Sequence, residues 1–219
     1  MSSRNLAAFD FDGTITRRDT LFGFLRFTFG DAALCRSLAK CVPTVARARL
    51  GIGHGDVHPR DAGKIVLLRS LTAGHTPTEM AESGRSYASR LPARFRPDVT
   101  ARLDWHRAEG HDVVIVSASL KYYLEPLRDR LGLLDVLACE MAVGDAGTLT
   151  GELARPNVRG PEKEVRLREW MSTRDRYDTI WAYGNSSGDK ELLAMADHAT
   201  MITKAPLQVS PARTEIDRR

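Results

Sequence analysis

Apolar positions divide the chain into two kinds of segment. At residues 6–9, and again from residue 95 onward, short apolar runs alternate with stretches in which apolar residues recur at helical spacing. Continuous apolar runs are typical of strands buried on both faces of a parallel sheet. The alternation predicts an α/β fold with a doubly wound, mostly parallel sheet and helices on both faces. The predicted strands are residues 6–9, 112–116, 136–139, 179–183 and 198–202, the predicted helices are 98–109, 120–131 and 162–171, and residues 141–153 are predicted to form a β-hairpin.

Residues 17–94 show helical periodicity and no convincing strand. The glycines within residues 51–55 interrupt this pattern, and a further helix is expected over 78–91 with Thr76 or Thr78 as its cap. We therefore predict a helical cap, residues 17–94, inserted into a core made of residues 1–16 and 95–219. The apolar faces are Leu21, Phe22, Phe24, Leu25 and Phe27, then Leu34, Leu38, Cys41, Val42 and Val45, then Ile65, Leu67, Leu68 and Leu71.

Charge is distributed unevenly along the chain. The formal net charge is only +4, but residues 17–94 contain 13 Lys and Arg against 6 Asp and Glu. A basic segment beside an acidic remainder suits the capture of an anionic small molecule, and it is equally compatible with an ordinary solvated surface. No run combines clustered basic residues with aromatic ones, so nucleic-acid binding is not expected.

The cysteines and the lengths of the apolar runs indicate in which cellular compartment the protein is expected. Cys35, Cys41 and Cys139 have no metal-ligand spacing, and their odd number argues against a disulfide framework. A reducing, cytoplasmic location is therefore expected. The N-terminal apolar stretch is too short for a signal peptide, and no window approaches the roughly 20 apolar residues of a transmembrane span. The oligomeric state is not predicted.

The first predicted strand leads directly into two carboxylates. Asp10 and Asp12 are one residue apart in a segment that reads Asp-Phe-Asp-Gly-Thr, so in extended backbone their side chains face one common site. Two carboxylates this close repel each other, which favours a bound cation or a shared proton. The alternative is a simple Asp-Gly turn in which Asp10 is a local acceptor.

Polar clusters also follow the other predicted strands. Residues 117–119 (Ser-Ala-Ser) follow the second strand, residues 184–189 (Gly-Asn-Ser-Ser-Gly-Asp) follow the fourth, and Lys163 lies at the start of the preceding helix. Each has a structural explanation, because Ser119 and Asp189 suit helix caps and an exposed helical lysine is usually solvated. Ligands of open α/β sheets, however, bind beyond the carboxyl ends of the strands. The clusters together predict a site for a phosphoryl group and Mg²⁺, which prefers oxygen ligands.

These motifs, in this order, resemble the haloacid dehalogenase superfamily of phosphohydrolases. The carriers of the resemblance are the Asp10–Thr14 segment, Ser117, Lys163 and the 184–189 loop. The helical insertion after the first motif, and the approach to Lys163 from Asn157, resemble the phosphoserine-phosphatase-like branch. The resemblance covers nearly the whole chain. It implies a five-stranded Rossmann-like catalytic core with strand order 5-4-1-2-3 and a mobile helical cap.

The resemblance also implies a role for each motif residue. Asp10 would be the nucleophile that forms an aspartyl-phosphate, and Asp12 would protonate the leaving oxygen and then deprotonate the attacking water. Lys163 would offset the negative charge around Asp10. The substrate- and phosphate-binding residues would be Gly13, Thr14, Ser117, Ala118 and Ser119, and the Mg²⁺ ligands would be Asp10, Asp12 through its backbone carbonyl, Asn185 and Asp189.

One position departs from the family pattern. The fourth motif usually begins Gly-Asp, whereas this chain has Gly184 followed by Asn185. An amide oxygen coordinates Mg²⁺ but carries no charge. We therefore expect weaker metal affinity and a larger share of the coordination for Asp189.

The cap is expected to select the substrate. Asp19 stands where phosphoserine phosphatases have an acidic residue for the amino group, and Lys64 stands where they have an arginine for the carboxylate. Lysine cannot make the two-pronged carboxylate contact of arginine, and Ala118 replaces a usual glycine. The resemblance thus implies a small phosphomonoester substrate, with strict phosphoserine specificity not expected.

Two other functions stay open. One is the hydrolysis of a lipid phosphate at a membrane surface by an aromatic and basic cap face, although the same aromatic residues suit the cap core. That face would consist of Phe22, Phe24, Phe27, Phe29, Arg36, Lys40, Arg47 and Arg49. The other is a non-catalytic phosphate-binding module, which the intact set of catalytic residue types disfavours.

Overall fold

Seven strands form a parallel sheet and a separate hairpin in the computed structural model, which describes residues 4–50 and 59–210. Within the sheet the order is β3-β2-β1-β6-β7, and all neighbours are parallel. This is the expected order 5-4-1-2-3 counted from the opposite edge, so the fold prediction is confirmed. The strands are β1 (Asn5–Phe9), β2 (Asp112–Leu120), β3 (Asp135–Cys139), β4 (Met141–Val143), β5 (Leu149–Leu153), β6 (Thr179–Gly184) and β7 (His198–Met201).

The central strand β1 shows why the strands of this sheet are continuous apolar runs in the sequence. Its residues from Leu6 to Phe9 are fully buried, because helices cover both faces of a doubly wound sheet. Phe9 stacks on Tyr183 of the neighbouring strand β6, with ring centroids 4.2 Å apart. The antiparallel hairpin of β4 and β5 lies outside this sheet, as predicted for residues 141–153.

Eight helices connect and cover the strands in the described part of the chain. The helices are α1 (Leu21–Arg49), α2 (Pro59–Thr72), α3 (Pro77–Ala88), α4 (Pro97–Ala108), α5 (Lys121–Leu124), α6 (Arg128–Leu131), α7 (Pro161–Ser172) and α8 (Lys190–Ala194). The helices predicted over 98–109 and 162–171 lie within one residue of α4 and α7, the one predicted over 78–91 ends three residues early as α3, and Thr76 caps α3 with a reciprocal hydrogen bond to Glu79.

The continuous helix predicted over residues 120–131 is wrong. Strand β2 extends through Leu120, and the following segment is broken into α5, a 3₁₀ turn and α6. Pro126 lies within that turn and lacks the backbone N–H that a continuous helix needs. The register between β2 and β3 also shifts between Ser117 and Leu120, which redirects the backbone at the carboxyl end of β2.

The predicted cap consists mainly of α1, α2 and α3. Helix α1 is bent at Gly30, where a φ of 78° interrupts the helical geometry. Its second half packs along α2, and the hydroxyls of Ser37 and Ser70 lie 3.0 Å apart at this contact. The glycine interruption predicted at residues 51–55 lies outside the described residues.

The chain enters and leaves the cap at one place. Thr16 and Phe95 form an antiparallel bridge, and the N–H of Arg17 donates to the carbonyl of Arg94 at 3.0 Å. These two crossings coincide with the ends of the predicted cap, residues 17–94. The division into cap and core remains our prediction, and the bridge is the feature that supports it.

The cap aromatics differ in their surroundings. Phe24 is fully buried against Tyr87 and Tyr123, and Phe27 and Phe29 pack partly against the core. Phe22, in contrast, is 47% exposed. Most of the predicted aromatic face is therefore cap core. No helix in the described ranges is both long and apolar enough to cross a membrane.

We expect Gly84 to be required for the packing of α3 against α5. A Cβ at this position would lie 2.1 Å from the carbonyl oxygen of Tyr122, a backbone atom that cannot move freely. Gly84→Ala should lower the free energy of unfolding by about 1–3 kcal/mol, as overpacking does. Urea unfolding followed by circular dichroism measures this change.

Gly63→Ala in α2 is the matched control. Its Cβ would meet only the Cγ2 atom of Val45, at 2.9 Å, and the gain in helix propensity of up to about 1 kcal/mol opposes that contact. Equal stability changes for the two variants would contradict the packing argument.

Candidate active site

The carboxyl ends of β1, β2 and β6 open into one cavity of about 740 Å³ between core and cap. Strand β1 lies between β2 and β6, so the connections leave it on both sides, which creates the crevice where open α/β sheets bind ligands. Eleven of the twelve predicted site residues line this cavity, and Thr14 does not. The eleven are Asp10, Asp12, Gly13, Asp19, Lys64, Ser117, Ala118, Ser119, Lys163, Asn185 and Asp189.

Lys163 joins two carboxylates beneath the cavity. Its Nζ lies 2.6 Å from Oδ1 of Asp10 and 2.6 Å from Oδ1 of Asp189, and the side chain is 2% exposed. Burial lowers the pKa of Lys163, but the two carboxylates outweigh this effect and hold the pKa above its ordinary value. The helix-start lysine is therefore not a solvated surface residue; it is a buried permanent cation beside Asp10.

Asp189 organises the loop after β6. Its Oδ2 accepts hydrogen bonds from the N–H groups of Asn185 and Ser186, at 3.0 and 2.9 Å, and from the Ser186 hydroxyl at 3.0 Å. Burial alone would raise the pKa of Asp189, but Lys163 and these donors hold it below its usual range. Asp189 thus serves as the counter-ion of Lys163 and as the brace of the loop that carries Asn185.

Asp10 lies at the end of β1 in a position set by backbone and side-chain contacts. Its N–H donates to the carbonyl of Tyr183 at 2.8 Å, and its Oδ2 accepts from the Thr14 hydroxyl at 3.0 Å. Burial raises the pKa of Asp10 and outweighs the opposing effects of Lys163 and Thr14. A cation near this carboxylate would favour its ionised form.

Thr14 corrects one prediction. It was expected to bind phosphoryl oxygens, but its side chain is fully buried and lies outside the cavity lining. Its hydroxyl donates to Asp10 instead. The residue therefore orients the Asp10 carboxylate, because the turn after β1 directs Thr14 back toward the protein interior.

Asp12 is held by residues from two other segments. Its Oδ1 accepts from the N–H and hydroxyl of Thr20, at 2.7 and 2.6 Å, and its Oδ2 accepts from the Ser119 hydroxyl. Burial and then the charge of Asp19 raise the pKa of Asp12 to about 7, against the opposing effect of these hydrogen bonds. At neutral pH both protonation states of this carboxyl are populated.

The helix-cap explanation of Ser119 is wrong, since Leu120 occupies the cap position of α5 and the Ser119 hydroxyl faces Asp12. Thr20 was not identified as a site residue from the sequence. It precedes α1, a position typical of a helix cap, but its hydroxyl is used on Asp12 and lies 3.1 Å from that of Tyr123. The only signal in the sequence is a threonine before an apolar helix, and that pattern indicates a helix N-cap and not a contact to Asp12.

Gly13 allows the first motif to approach the loop after β6. Its φ is +80°, and a Cβ there would lie 2.0 Å from Nδ2 of Asn185. The backbone of the first motif and the amide of the fourth are thus in close contact, which only glycine permits. This contact brings the Asn185 side chain beside the Asp10–Asp12 segment.

Lys64 reaches the core but is not free to hold a substrate carboxylate. Its Nζ donates to the carbonyl of Ala118 and to Oδ1 of Asn157, both at 2.5 Å, and lies 3.5 Å from Sγ of Cys139. Asp61, one turn earlier on α2, accepts from Nδ2 of Asn157 at 2.7 Å. The two cap charges therefore form a latch to the core, defined here as Asp61, Lys64 and Asn157.

The donor set around Asp10 fits a magnesium ion. Among the described residues, no three His, Cys, Asp or Glu side chains are grouped closely enough to hold a metal by themselves. The oxygens of Asp10, the backbone of Asp12 and the Asn185 amide nevertheless share one cavity with room for phosphate. Mg²⁺ commonly binds through one or two carboxylates while keeping waters and contacting phosphate, so these oxygens suit it.

Comparison with known sequences identifies a family and several relatives. The haloacid dehalogenase-like hydrolase family matches residues 7–194. Protein CicA of Caulobacter vibrioides is 33% identical over 199 residues, which are 88% of this chain and 83% of that protein. A probable phosphatase of Mycobacterium tuberculosis is 27% identical over 206 residues, 91% of this chain and 69% of that protein.

Solved structures share the fold. A protein of unknown function from Bordetella pertussis Tohama I superposes with a TM-score of 0.70 at 21% identity, covering 89% of this chain and 88% of that chain. A probable phosphoserine phosphatase from Vibrio cholerae superposes with a TM-score of 0.63 at 18% identity, covering 89% of this chain and 54% of that one. At these identities the similarity is one of fold.

We expect Lys163→Met to leave Asp10 and Asp189 as neighbouring buried carboxylates without a cation. Removing one partner of a buried ion pair typically costs about 3–5 kcal/mol of stability. The double variant Lys163→Met with Asp189→Asn removes one of the stranded charges and should recover part of that loss. Urea unfolding of the wild type, both single variants and the double variant measures the coupling. Strictly additive losses would show that the lysine and Asp189 do not act as a pair.

Proposed function

Because the chain belongs to the haloacid dehalogenase-like hydrolase family, we propose that it is a magnesium-dependent phosphatase that hydrolyses a small-molecule phosphomonoester through an aspartyl-phosphate on Asp10. The observation that carries the proposal is the buried contact of 2.6 Å between Lys163 and Asp10, in the cavity that also holds Asp12. The M. tuberculosis relative, named a probable phosphatase, supports the same class of reaction.

In the first step, an oxygen of the Asp10 carboxylate attacks phosphorus. The bond from phosphorus to the ester oxygen breaks, and the electron pair of that bond stays with the leaving oxygen. Protonated Asp12 donates its proton there, which gives a neutral alcohol. A carboxyl pKa of about 7 suits this role, because the acid form is still populated at neutral pH and falls away as the pH rises above it.

In the second step, the now ionised Asp12 takes a proton from a water molecule. The water oxygen attacks the phosphorus of the aspartyl-phosphate, and the bond from phosphorus to the Asp10 oxygen breaks. Inorganic phosphate leaves, and both carboxyl groups return to their starting states. Thr20 and Ser119 hold Asp12 by hydrogen bonds in the position from which it serves both steps.

The charges around Asp10 lower the barrier by positioning and electrostatics. Lys163 keeps its positive charge because two carboxylates surround it, so it stabilises negative charge at Asp10 throughout the cycle. Bound Mg²⁺, with Asp10, the Asp12 carbonyl and Asn185 as its protein ligands, would supply further positive charge to the phosphoryl oxygens. Asp189 would contribute mainly by fixing the position of Asn185. This modifies our expectation that Asp189 takes a larger share of the Mg²⁺ coordination.

The substrate contacts implied by phosphoserine phosphatases are only partly supported. Asp19 lines the cavity, whereas Lys64 is occupied by the latch. Phosphoserine is therefore a weak candidate, and we favour another small phosphate ester.

The three cysteines are unpaired, in keeping with the reducing cytoplasmic compartment that we propose.

We predict that Asp10→Asn abolishes turnover, with a loss of roughly 10³-fold or more in kcat, because the amide is a poor nucleophile. Release of p-nitrophenol from p-nitrophenyl phosphate in the presence of Mg²⁺ measures it. Asp145→Asn, in the exposed turn between β4 and β5, is the matched control and should be fully active. Full activity in Asp10→Asn would remove the nucleophile assignment. A folded wild type that binds phosphate but turns over no phosphomonoester would favour a binding module.

We also predict that Asn185→Asp tightens Mg²⁺ binding, because a carboxylate replaces a neutral amide beside Asp10. The expected change is a severalfold lower Mg²⁺ concentration for half-maximal activity, and calorimetric titration with MgCl₂ provides a second readout. Gln208→Glu adds the same charge at an exposed position and should leave the affinity unchanged. Unaltered Mg²⁺ affinity in Asn185→Asp would place this residue outside the metal site.

A further inference from the structure

The cap side of the cavity lining carries large apolar side chains together with charged ones, among them Arg17, Arg18 and Arg49. The carboxylates and hydroxyls of the lining at the sheet come from the ends of β1, β2 and β6 and the adjoining loops. Every large apolar side chain among the described lining residues comes from the cap. These are Leu21, Phe22, Leu38, Cys41, Val45 and Leu67. The phosphate site therefore faces a hydrocarbon wall contributed by α1 and α2.

The latch pairs two of the cap charges at the cavity, Asp61 and Lys64, with groups of the core. Lys64 donates to Ala118 and Asn157, and Asp61 accepts from Asn157, so their hydrogen-bonding capacity is largely used within the protein. Asp19 accepts from the N–H of Phe22 at 3.3 Å and lies near Asp12, at the phosphate end of the cavity. The apolar residues of the lining, in contrast, offer a ligand dispersion contacts and burial from water.

Two residues of this wall are partly exposed at the cavity. Phe22 is 47% and Leu38 is 37% exposed, and both line the cavity. Large apolar side chains that face a cavity beside convergent polar groups are characteristic of ligand sites. A cavity of about 740 Å³ also has room for considerably more than a phosphate group.

We infer that the leaving group is a hydrocarbon-bearing alcohol, a single alkyl or similar apolar group that packs against Phe22, Leu38 and Leu67 while its phosphate occupies the Asp10 site. Arg17, Arg18 and Arg49 also line the cavity and form no ion pair with a described carboxylate, so they favour the entry of an anionic molecule. The substrate enters the cavity as a single molecule, so no bilayer is required. This inference rests on the proposed phosphatase function and specifies its substrate class.

The test is a binding series of alkylphosphonates, which cannot be hydrolysed, titrated into the wild-type protein with Mg²⁺ by calorimetry. Affinity should rise from methyl- to propyl- to hexylphosphonate, by about fourfold for each methylene group that becomes fully buried. Hydrolysis of the matching alkyl phosphates, below their micelle concentrations, should show the same trend in kcat/KM. Phosphoserine should be the poorer substrate.

Leu38→Gln should weaken hexylphosphonate binding about tenfold and leave methylphosphonate within twofold, because only the longer chain reaches the wall. Val42→Gln is the matched control: Val42 is one turn further along α1, is 64% exposed and lies outside the cavity lining. It should bind both phosphonates as the wild type does.

The outcomes separate this inference from the proposed function. Affinity and kcat/KM that do not depend on chain length, in a protein that hydrolyses phosphate esters, would overturn the inference and leave the phosphatase assignment standing. Chain-length-dependent binding without any hydrolysis would overturn the phosphatase, and the leaving-group assignment with it, and would leave the apolar wall as a ligand-binding surface. Activity that requires the ester to be embedded in vesicles would overturn the inference that the substrate binds in the cavity as a single dissolved molecule.

Discussion

The buried lysine between two carboxylates is the interaction on which this molecule depends. Lys163, Asp10 and Asp189 come from the start of α7, the end of β1 and the segment after β6, and they meet at 2.6 Å contacts in the protein interior. Taking three charges out of water is costly, and only close pairing with additional hydrogen bonds repays that cost. Thr14 supplies such a bond to Asp10, and the Asn185–Ser186 backbone supplies it to Asp189. The fold therefore defines the position and the counter-charge of Asp10, the nucleophile that we propose.

The cap contributes to this site in two different ways. Near the phosphate end it supplies polar contacts, since Thr20 at the start of α1 binds Asp12 and its carbonyl accepts from Tyr87 of α3 at 3.0 Å. Further out it supplies an apolar wall, while Asp61 and Lys64 are tied to Asn157. Thr20, which holds Asp12, and the apolar wall thus both belong to the predicted cap, so a change of cap position would alter both.

Much of the fold was predictable because buried parallel strands are recognisable in the sequence as continuous apolar runs. The runs at residues 6–9 and 112–116 have no polar face, as expected for strands covered on both sides. Helix α3 was marked by Thr76, whose cap bonds are local. The single helix predicted over residues 120–131 is wrong, because the spacing is helical while Pro126 and the extension of β2 to Leu120 decide the backbone. Helical spacing likewise could not distinguish buried Phe24 from exposed Phe22, which depends on how α1 sits against its neighbours.

The sequence by itself determined the types of chemical group and the strand ends from which they project: Asp10 and Asp12 after β1, Ser117 to Ser119 at the end of β2, and Asn185 and Asp189 after β6. Only the tertiary structure decided which atom each group contacts. Thr14 turned out to bind Asp10, Ser119 to bind Asp12, and Lys64 to bind the core. The physical reason is that strand position follows from the local apolar pattern, whereas a hydrogen-bond partner depends on side-chain direction and on distance in space. For Ser119 and Asp12 that partner is 107 residues away along the chain, which no local pattern encodes.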